Sequence, residues 1–368
     1  MKFCRDCFKD ITIRSIIKTL NARGNCPVCG KEDAYLYDSD SNTELCGIMD
    51  ELIQSYTPSS LLPSSFPMEE RSTLSETLKN DWDIFSDKLN SSQIFSIVRS
   101  ISPDVFESFP ALFTETVGMP EKIDDLYQSE HGILKGKTWN DFVYDIKYNN
   151  RFHTNTMSTD ILSKYLLYLK KDYKKGAKFF RGRIFTSNKP FALNELNAPP
   201  SQYAVDGRAN SRGISRLYIA SSEETCIYEI RAKALDNISI GTFTLQKDIS
   251  VLDFKMIKQI SPFLGMDYVE YAINRPILLK ISEEMSKSVR ISNESDKLNY
   301  IPTQYLADLI KTLEVGPDVK CSGIEYASTL HPQGFNIAAF YPNEFSCTES
   351  KNFQVNHIEY KYEIMRIE

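Results

Sequence analysis

A net charge of −6 over 368 residues, from 43 Lys and Arg against 49 Asp and Glu, argues against a general nucleic-acid or membrane-surface binder, because both surfaces repel an acidic chain. Hydrophobic residues make up 42%, enough for about two or three domains with their own cores. No apolar run approaches the roughly 20 residues that span a bilayer. Met1–Cys7 also lacks the apolar centre of a signal peptide, so the expected location is cytoplasmic.

The first motif is Cys4-x2-Cys7, then 18 residues, then Cys26-x2-Cys29. Four thiolates at this spacing suit tetrahedral zinc, and Gly30 lets backbone amides turn toward sulfur. Such a closed set leaves no open coordination position, so the expected zinc is structural. Cys46, Cys226, Cys321 and Cys347 are scattered, which fits reduced thiols better than a disulfide framework. Ile13, Ile16, Ile17 and Leu20 fall at helical spacing between the pairs. A short strand at Ala34–Tyr37 and a helix at Cys46–Tyr56 complete a zinc-knuckle module over residues 1–56.

Thr57–Pro67 holds three prolines and four serines and reads as a connector. Residues 57–170 then form a mainly helical domain. Ser75–Leu89 places Leu78, Trp82, Phe85 and Leu89 on one helical face, and Ser91–Ile101 and Ile161–Leu169 repeat the pattern. Trp82 and Trp139 read as core residues rather than a ligand box, and His131 and His153 stand without acidic or thiol partners in sequence. Lys170–Gly176 reads as a solvated helix end that closes the domain.

The chemistry lies in residues 171–368. Phe179–Phe185 reads as a strand with Arg181 and Arg183 on one side. Gly207–Gly213 is a glycine-bounded loop carrying Arg208 and Arg212, and Ile214–Ala220 is a strand containing Tyr218. Ser221 and Glu224 are spaced as a capping box, opening a helix whose apolar face is Cys226, Ile227, Ile230 and Ala234. Glu229 flanks that face, where burial costs free energy unless the carboxylate is paired or used. A strand at Asp248–Phe254, a helix from Tyr300, and strands at Gly323–Ser328 and Gly334–Phe340 follow.

Phe179-Phe-Arg181, Gly207-Arg-Ala-Asn210, Leu217-Tyr-Ile-Ala220, Thr225-Cys-Ile-Tyr-Glu229 and Ser328 before Gly334-Phe-Asn336, in that order, resemble the RES family. That family is similar to ADP-ribosyltransferases and includes toxins that consume NAD. Cys226 stands where the family usually has alanine. The resemblance implies an α+β protein in which the zinc knuckle and helical domain precede a mixed α/β domain on a bent sheet. It implies catalytic roles for Arg181, Arg208, Glu229 and Ser328. Arg181 and Arg208 would anchor phosphate and ribose, since a guanidinium fork matches phosphate oxygens bidentately. Glu229 would stabilise positive charge at the ribose as the nicotinamide–ribose bond breaks. Tyr218, Asn210, Gln304, Asn336 and Arg183 are the expected substrate-binding residues. Tyr218 would meet the nicotinamide end, and Gln304 belongs to the Tyr-x-Pro-Thr-Gln stretch that similar family members carry.

Ser328 reads as a hydrogen-bond partner of Glu229 or of the substrate amide, because no acid in sequence orients His331 as a base. Asn336 is expected to hold the serine loop. Neither a Gly-x-Gly-x-x-Gly fingerprint nor a P-loop is present, so NAD is expected as a consumed substrate rather than a recycled cofactor. The expected activity is that of an NAD glycohydrolase or phosphorylase acting as a toxin or defence effector. An antitoxin or other regulatory protein, or a second copy of the chain, would be its protein partner. The alternatives are an ADP-ribosyltransferase acting on protein or nucleic acid, and an inactive zinc-dependent interaction protein.

Overall fold

The computed structural model describes residues 1–186, 189–287, 295–317 and 319–358. The chain combines short helices with one large mixed sheet and is α+β. It divides into two units: Met1–Gly136 with Gln259–Pro276, and Lys137–Lys258 with Ile277–Glu368. No helix among the described residues is long and apolar enough to cross a membrane.

In the first unit, β1 (Lys2–Cys4), β2 (Arg23–Gly24) and β3 (Ala34–Asp38) form an antiparallel sheet in the order β1-β3-β2. Phe3 stacks on Tyr37 at 5.2 Å beneath it. The helix Ile11–Thr19 starts at Asp10, whose carboxylate accepts the Ile13 amide hydrogen at 2.9 Å, and it buries Ile13 and Ile17. Asp10 is itself buried, which raises its pKa above the usual aspartate range despite the bonds from Ile13 and Ser261.

A second small sheet has the order β4-β6-β5, from β4 (Thr57–Pro58), β5 (Ser72–Thr73) and β6 (Thr116–Gly118). The proline- and serine-rich segment is thus built into the fold rather than left as a spacer. Leu62 and Phe66 punctuate its prolines and are buried, and the Ser59 amide donates to the Thr116 carbonyl at 2.8 Å. The helix expected over Ser75–Leu89 ends at Asn80. Asp83 takes φ +56, a left-handed turn that helix cannot continue through. Trp82, Phe85 and Leu89 are buried all the same, and Trp82 Nε1 donates to the Tyr56 hydroxyl at 2.5 Å.

The second unit is organised by eight strands: β7 (Lys170–Tyr173), β8 (Lys178–Phe185), β9 (Leu217–Ala220), β10 (Asn237–Leu245), β11 (Ile249–Asp253), β12 (Gly323–Ala327), β13 (Phe335–Ala339) and β14 (Phe345–Gln354). Their order is β14-β10-β8-β9-β13-β12-β11-β7, antiparallel except for β11 beside β12. The segment expected as a solvated helix end is instead β7, paired to β11. The reason is Glu325, fully buried in β12. It accepts from Lys171 Nζ at 2.7 Å and the Tyr173 hydroxyl at 2.6 Å, and it also pairs with Lys255. A buried carboxylate without such partners would be strongly destabilising.

Alternation along the strands makes two apolar faces. Phe179, Leu217, Ile219, Phe243 and Ile337 cluster on one, while Ala220, Cys226, Ile238 and Ile240 cluster on the other. β8 pairs with β10 from Lys178 to Phe185. Among the described residues, β8 meets β9 in register at Phe180 with Ala220 alone.

Candidate active site

The helix Glu223–Glu229 is capped by Ser222, whose hydroxyl accepts the Thr225 amide at 3.0 Å. The expected Ser221–Glu224 box does not form, because the Ser221 hydroxyl accepts the Phe335 amide at 3.0 Å and ties the helix entry to β13. The helix ends at Glu229, and Arg231 takes φ +51, so Ala234 lies beyond it. Gly182 of β8 lets the helix approach the sheet. A Cβ there would stand 2.8 Å from Cys226 Sγ and 3.1 Å from Ile230 Cδ1. Burial pushes the Cys226 thiol pKa up to about 12, so it stays protonated and packs as a small apolar group.

Glu229 Oε1 accepts two hydrogen bonds, from Ser328 Oγ at 2.5 Å and Asn336 Nδ2 at 2.8 Å. Ser328 follows β12 directly, and its oxygen also accepts the amides of Leu330 at 3.3 Å and His331 at 3.0 Å. Asn336, on β13, spends its amide on Glu229 rather than on the serine loop. His331 Nδ1 lies 2.8 Å from the Thr225 hydroxyl, and its ring stacks on Tyr228. That arrangement does not make it a base for Ser328.

Glu229 faces a cavity of about 320 Å³ whose walls include Phe180, Arg181, Tyr218, Tyr326 and Asn336. Residues of β8 and β9 line it on either side of their one register pair, Phe180 with Ala220. Arg181 Nη1 donates to the Tyr218 carbonyl at 3.2 Å, while its buried Nε has no partner. Burial, then repulsion from Arg183, pulls the Arg181 pKa down, yet a guanidinium keeps its charge. A half-buried cation lining a cavity is suited to an anionic ligand. Tyr326 escaped the sequence reading. Its signal was register: on β12 it sits opposite Asn336 of β13, so both side chains share a face. Burial raises its hydroxyl pKa to about 12.

The arginine loop is held from beneath. Tyr218 donates its hydroxyl hydrogen to Asn210 Oδ1 at 2.6 Å and accepts the Ala209 amide at 3.1 Å. Gln304 Nε2 donates to the carbonyls of Gly207 at 3.0 Å and Asn210 at 2.9 Å, and its Oε1 accepts from Ser211 at 3.2 Å. Asn210 and Gln304 thus brace the loop and do not line the cavity. Gly207 is required by crowding, since a Cβ would lie 2.7 Å from the Tyr218 hydroxyl. Arg208 Nη1 donates to the Met285 carbonyl at 2.7 Å and Nη2 to that of Lys287. Its guanidinium sits over the Tyr326 ring, 5.4 Å from the centroid. Arg183 points elsewhere, donating to the Glu195 carbonyl at 2.7 Å and lying over Phe191.

In the first unit, Cys4, Cys7, Cys26 and Cys29 converge, with Sγ separations of 3.9 Å (Cys4–Cys7), 3.5 Å (Cys4–Cys29) and 3.8 Å (Cys7–Cys26). A tetrahedron of thiolates about 2.3 Å from a zinc ion has edges of about 3.8 Å, so the set fits the ion. None of the eight cysteines is in a disulfide.

Residues 183–363, just under half of the chain, match the family model described as RES domain. Tyr218, Glu229, Ser328 and Asn336 lie within that segment, and Arg181 stands two residues before it. No curated protein and no solved structure matches the chain.

Proposed function

We propose that this chain, whose residues 183–363 are a RES domain, cleaves the nicotinamide–ribose bond of NAD. RES domains are associated at the family level with NAD-utilising, toxin-type enzymes. The observation that carries the reading is Glu229 fixed by Ser328 and Asn336 across a cavity from Arg181 with its unpaired Nε. Breaking the bond develops oxocarbenium character at the ribose. A carboxylate already oriented by two donors stabilises that charge without reorganising. Nicotinamide leaves neutral from a cationic precursor, so the step needs no strong general acid. Arg181, which lines the cavity, would take the pyrophosphate, joined by Arg208 from its position over the Tyr326 ring once it gave up a carbonyl partner. Tyr218 and Tyr326 provide aromatic walls for planar groups.

Water as acceptor gives ADP-ribose, and phosphate gives its phosphorolysis product. Four thiolates, if loaded with zinc, brace the first unit and supply no step. A cytoplasmic toxin or defence effector with this activity would require restraint, by a regulatory protein or by the N-terminal unit.

The test is NAD turnover by purified wild type beside Glu229→Gln. Free nicotinamide in the wild type and not in the variant supports the proposal. Labelled ADP-ribose accumulating on protein or nucleic acid would instead mean transfer. Equal turnover in both proteins would overturn the role of Glu229.

A further inference from the structure

Two pieces of the chain supply the Glu229–Ser328 bond. The helix Glu223–Glu229 carries the carboxylate, and the segment 328–334 between β12 and β13 begins with the serine. One side chain joins them, and the proposed reaction gives it no chemical step. His331 Nδ1 stands 2.8 Å from the Thr225 hydroxyl, and its ring lies over Tyr228 at 5.2 Å with the planes 4° apart. Its backbone amide donates to Ser328 Oγ at 3.0 Å. The imidazole thus grips the helix while the same residue's peptide group fixes the serine.

The grip is close to Glu229. Tyr228 and Glu229 are three and four residues on from Thr225, so all three are neighbours on the helix surface. Thr225 is fully buried, and the His331 side chain is 17% exposed. Gly334 marks how tightly the two pieces meet: a Cβ there would collide with Thr225 Oγ1 and stand 2.8 Å from His331 Nδ1. The segment is also closed on itself. The Gly334 amide donates to the His331 carbonyl at 2.9 Å, and the Ser328 amide to the Gly334 carbonyl at 3.0 Å. A displaced His331 therefore carries Ser328 with it. Among the described residues, no other side chain of 329–334 is hydrogen-bonded to the helix.

We propose that His331 is a positioning residue, which holds the serine segment against the helix and so keeps Ser328 aligned on Glu229. The proposal rests on the reading of Glu229 as the group that stabilises charge at the ribose. His331 does not line the cavity, so its effect on the reaction passes through the Ser328–Glu229 bond.

The experiment is nicotinamide release by the full chain in a double-mutant cycle of His331→Ala with Ser328→Ala. His331→Ala alone is expected to lower kcat about tenfold, as a misplaced group does, with KM for NAD changed less than about twofold. In the Ser328→Ala background it should cost about twofold or less, since the bond it aligns is already gone. An unchanged kcat, a rise in KM alone, or losses that simply multiply overturn the proposal. Should His331→Ala fail to fold, Tyr228→Ala removes the stacking partner from an exposed position. It must then lower kcat with KM kept, and an unchanged kcat there is equally decisive. A crystal structure of the folded variant reads the placement without turnover. Ser328 Oγ should stand beyond hydrogen-bond reach of Glu229 Oε1, and a retained contact overturns the proposal. A wild type that releases no nicotinamide would sink the reading of the reaction, and the crystal structure would still decide whether His331 aligns the pair.

Discussion

Ser328 Oγ stands 2.5 Å from Glu229 Oε1 while its other side receives the amides of Leu330 and His331. The hydroxyl has one hydrogen, and with two donors already aimed at the oxygen that hydrogen points at the carboxylate. In the proposed reaction Ser328 therefore orients Glu229 and does not attack.

This ranks three variants. Glu229→Gln is expected to lower kcat for nicotinamide release about 10²–10³-fold, the scale for losing one oriented electrostatic group. Ser328→Ala and Asn336→Ala each remove one charge-assisted bond, about 1.5–3 kcal/mol, so losses of roughly 10–100-fold are expected. A serine nucleophile would instead make Ser328→Ala at least as inactive as Glu229→Gln.

Gly182 and Cys226 should behave as a pair. A methyl at Gly182 meets Cys226 Sγ at 2.8 Å and pushes the Glu229 helix from β8. Gly182→Ala is expected to cost about 1–3 kcal/mol of stability with a fall in kcat. Adding Cys226→Ala frees the space and should recover much of both. A thermal melt and nicotinamide assay on the two single variants and the double variant measure the coupling.

Gln304 tests the loop brace. Gln304→Ala removes bonds to Gly207, Asn210 and Ser211 and frees the loop that carries Arg208. KM for NAD should rise by about tenfold or more, with a smaller change in kcat, because positioning of the phosphate end is lost first. A fall in kcat alone would argue against the loop as a substrate clamp.

The thiolate set predicts one zinc ion per chain by elemental analysis. Apparent binding energies for structural zinc of about 10–16 kcal/mol compare with the stability of a whole domain. Chelation or Cys26→Ser is thus expected to unfold the β1–β3 sheet, read by circular dichroism. Nicotinamide release that required continuous free zinc would contradict a purely structural metal.

Asp10 predicts a pH-dependent stability. Its folded pKa is raised by burial, so its proton is held more tightly in the folded state. The contribution is fully present below the unfolded value of about 3.9 and is lost as pH rises through the folded value. Asparagine keeps the cap without the charge. Asp10→Asn should melt at a higher temperature than wild type near pH 7 and at about the same temperature near pH 3.

Much of this was legible in the residues because the signals were local. The Ser91–Ile101 helix, the Phe179–Phe185 strand region and the four-cysteine spacing each follow from short-range periodicity or motif spacing. What was misread depended on distant partners. Lys170–Tyr173 looks like a solvated helix end until Glu325, far along the chain, needs its lysine and tyrosine. Trp82 and Phe85 kept helical spacing, but the backbone turned at Asp83 and buried them by another route. In the candidate site, Tyr326 carries no motif of its own and becomes visible through its register with Asn336. Asn210 and Gln304 have the chemistry of ligand contacts, and whether such amides meet a ligand or a loop is decided by tertiary placement.

The parting of β8 from β9 beyond Phe180 and Ala220 has one more consequence. Where two neighbouring strands separate, the ladder rungs between them are missing, and here the Arg181 side chain crosses the gap to the Tyr218 carbonyl. A guest bound in this seam would meet strand residues whose peptide groups are not all spent on a neighbouring strand. In the proposed reaction, recognition through main-chain atoms would be blind to side-chain identity, so the cleft would keep its grip while the residues around it drifted, and alanine scanning would understate its contribution.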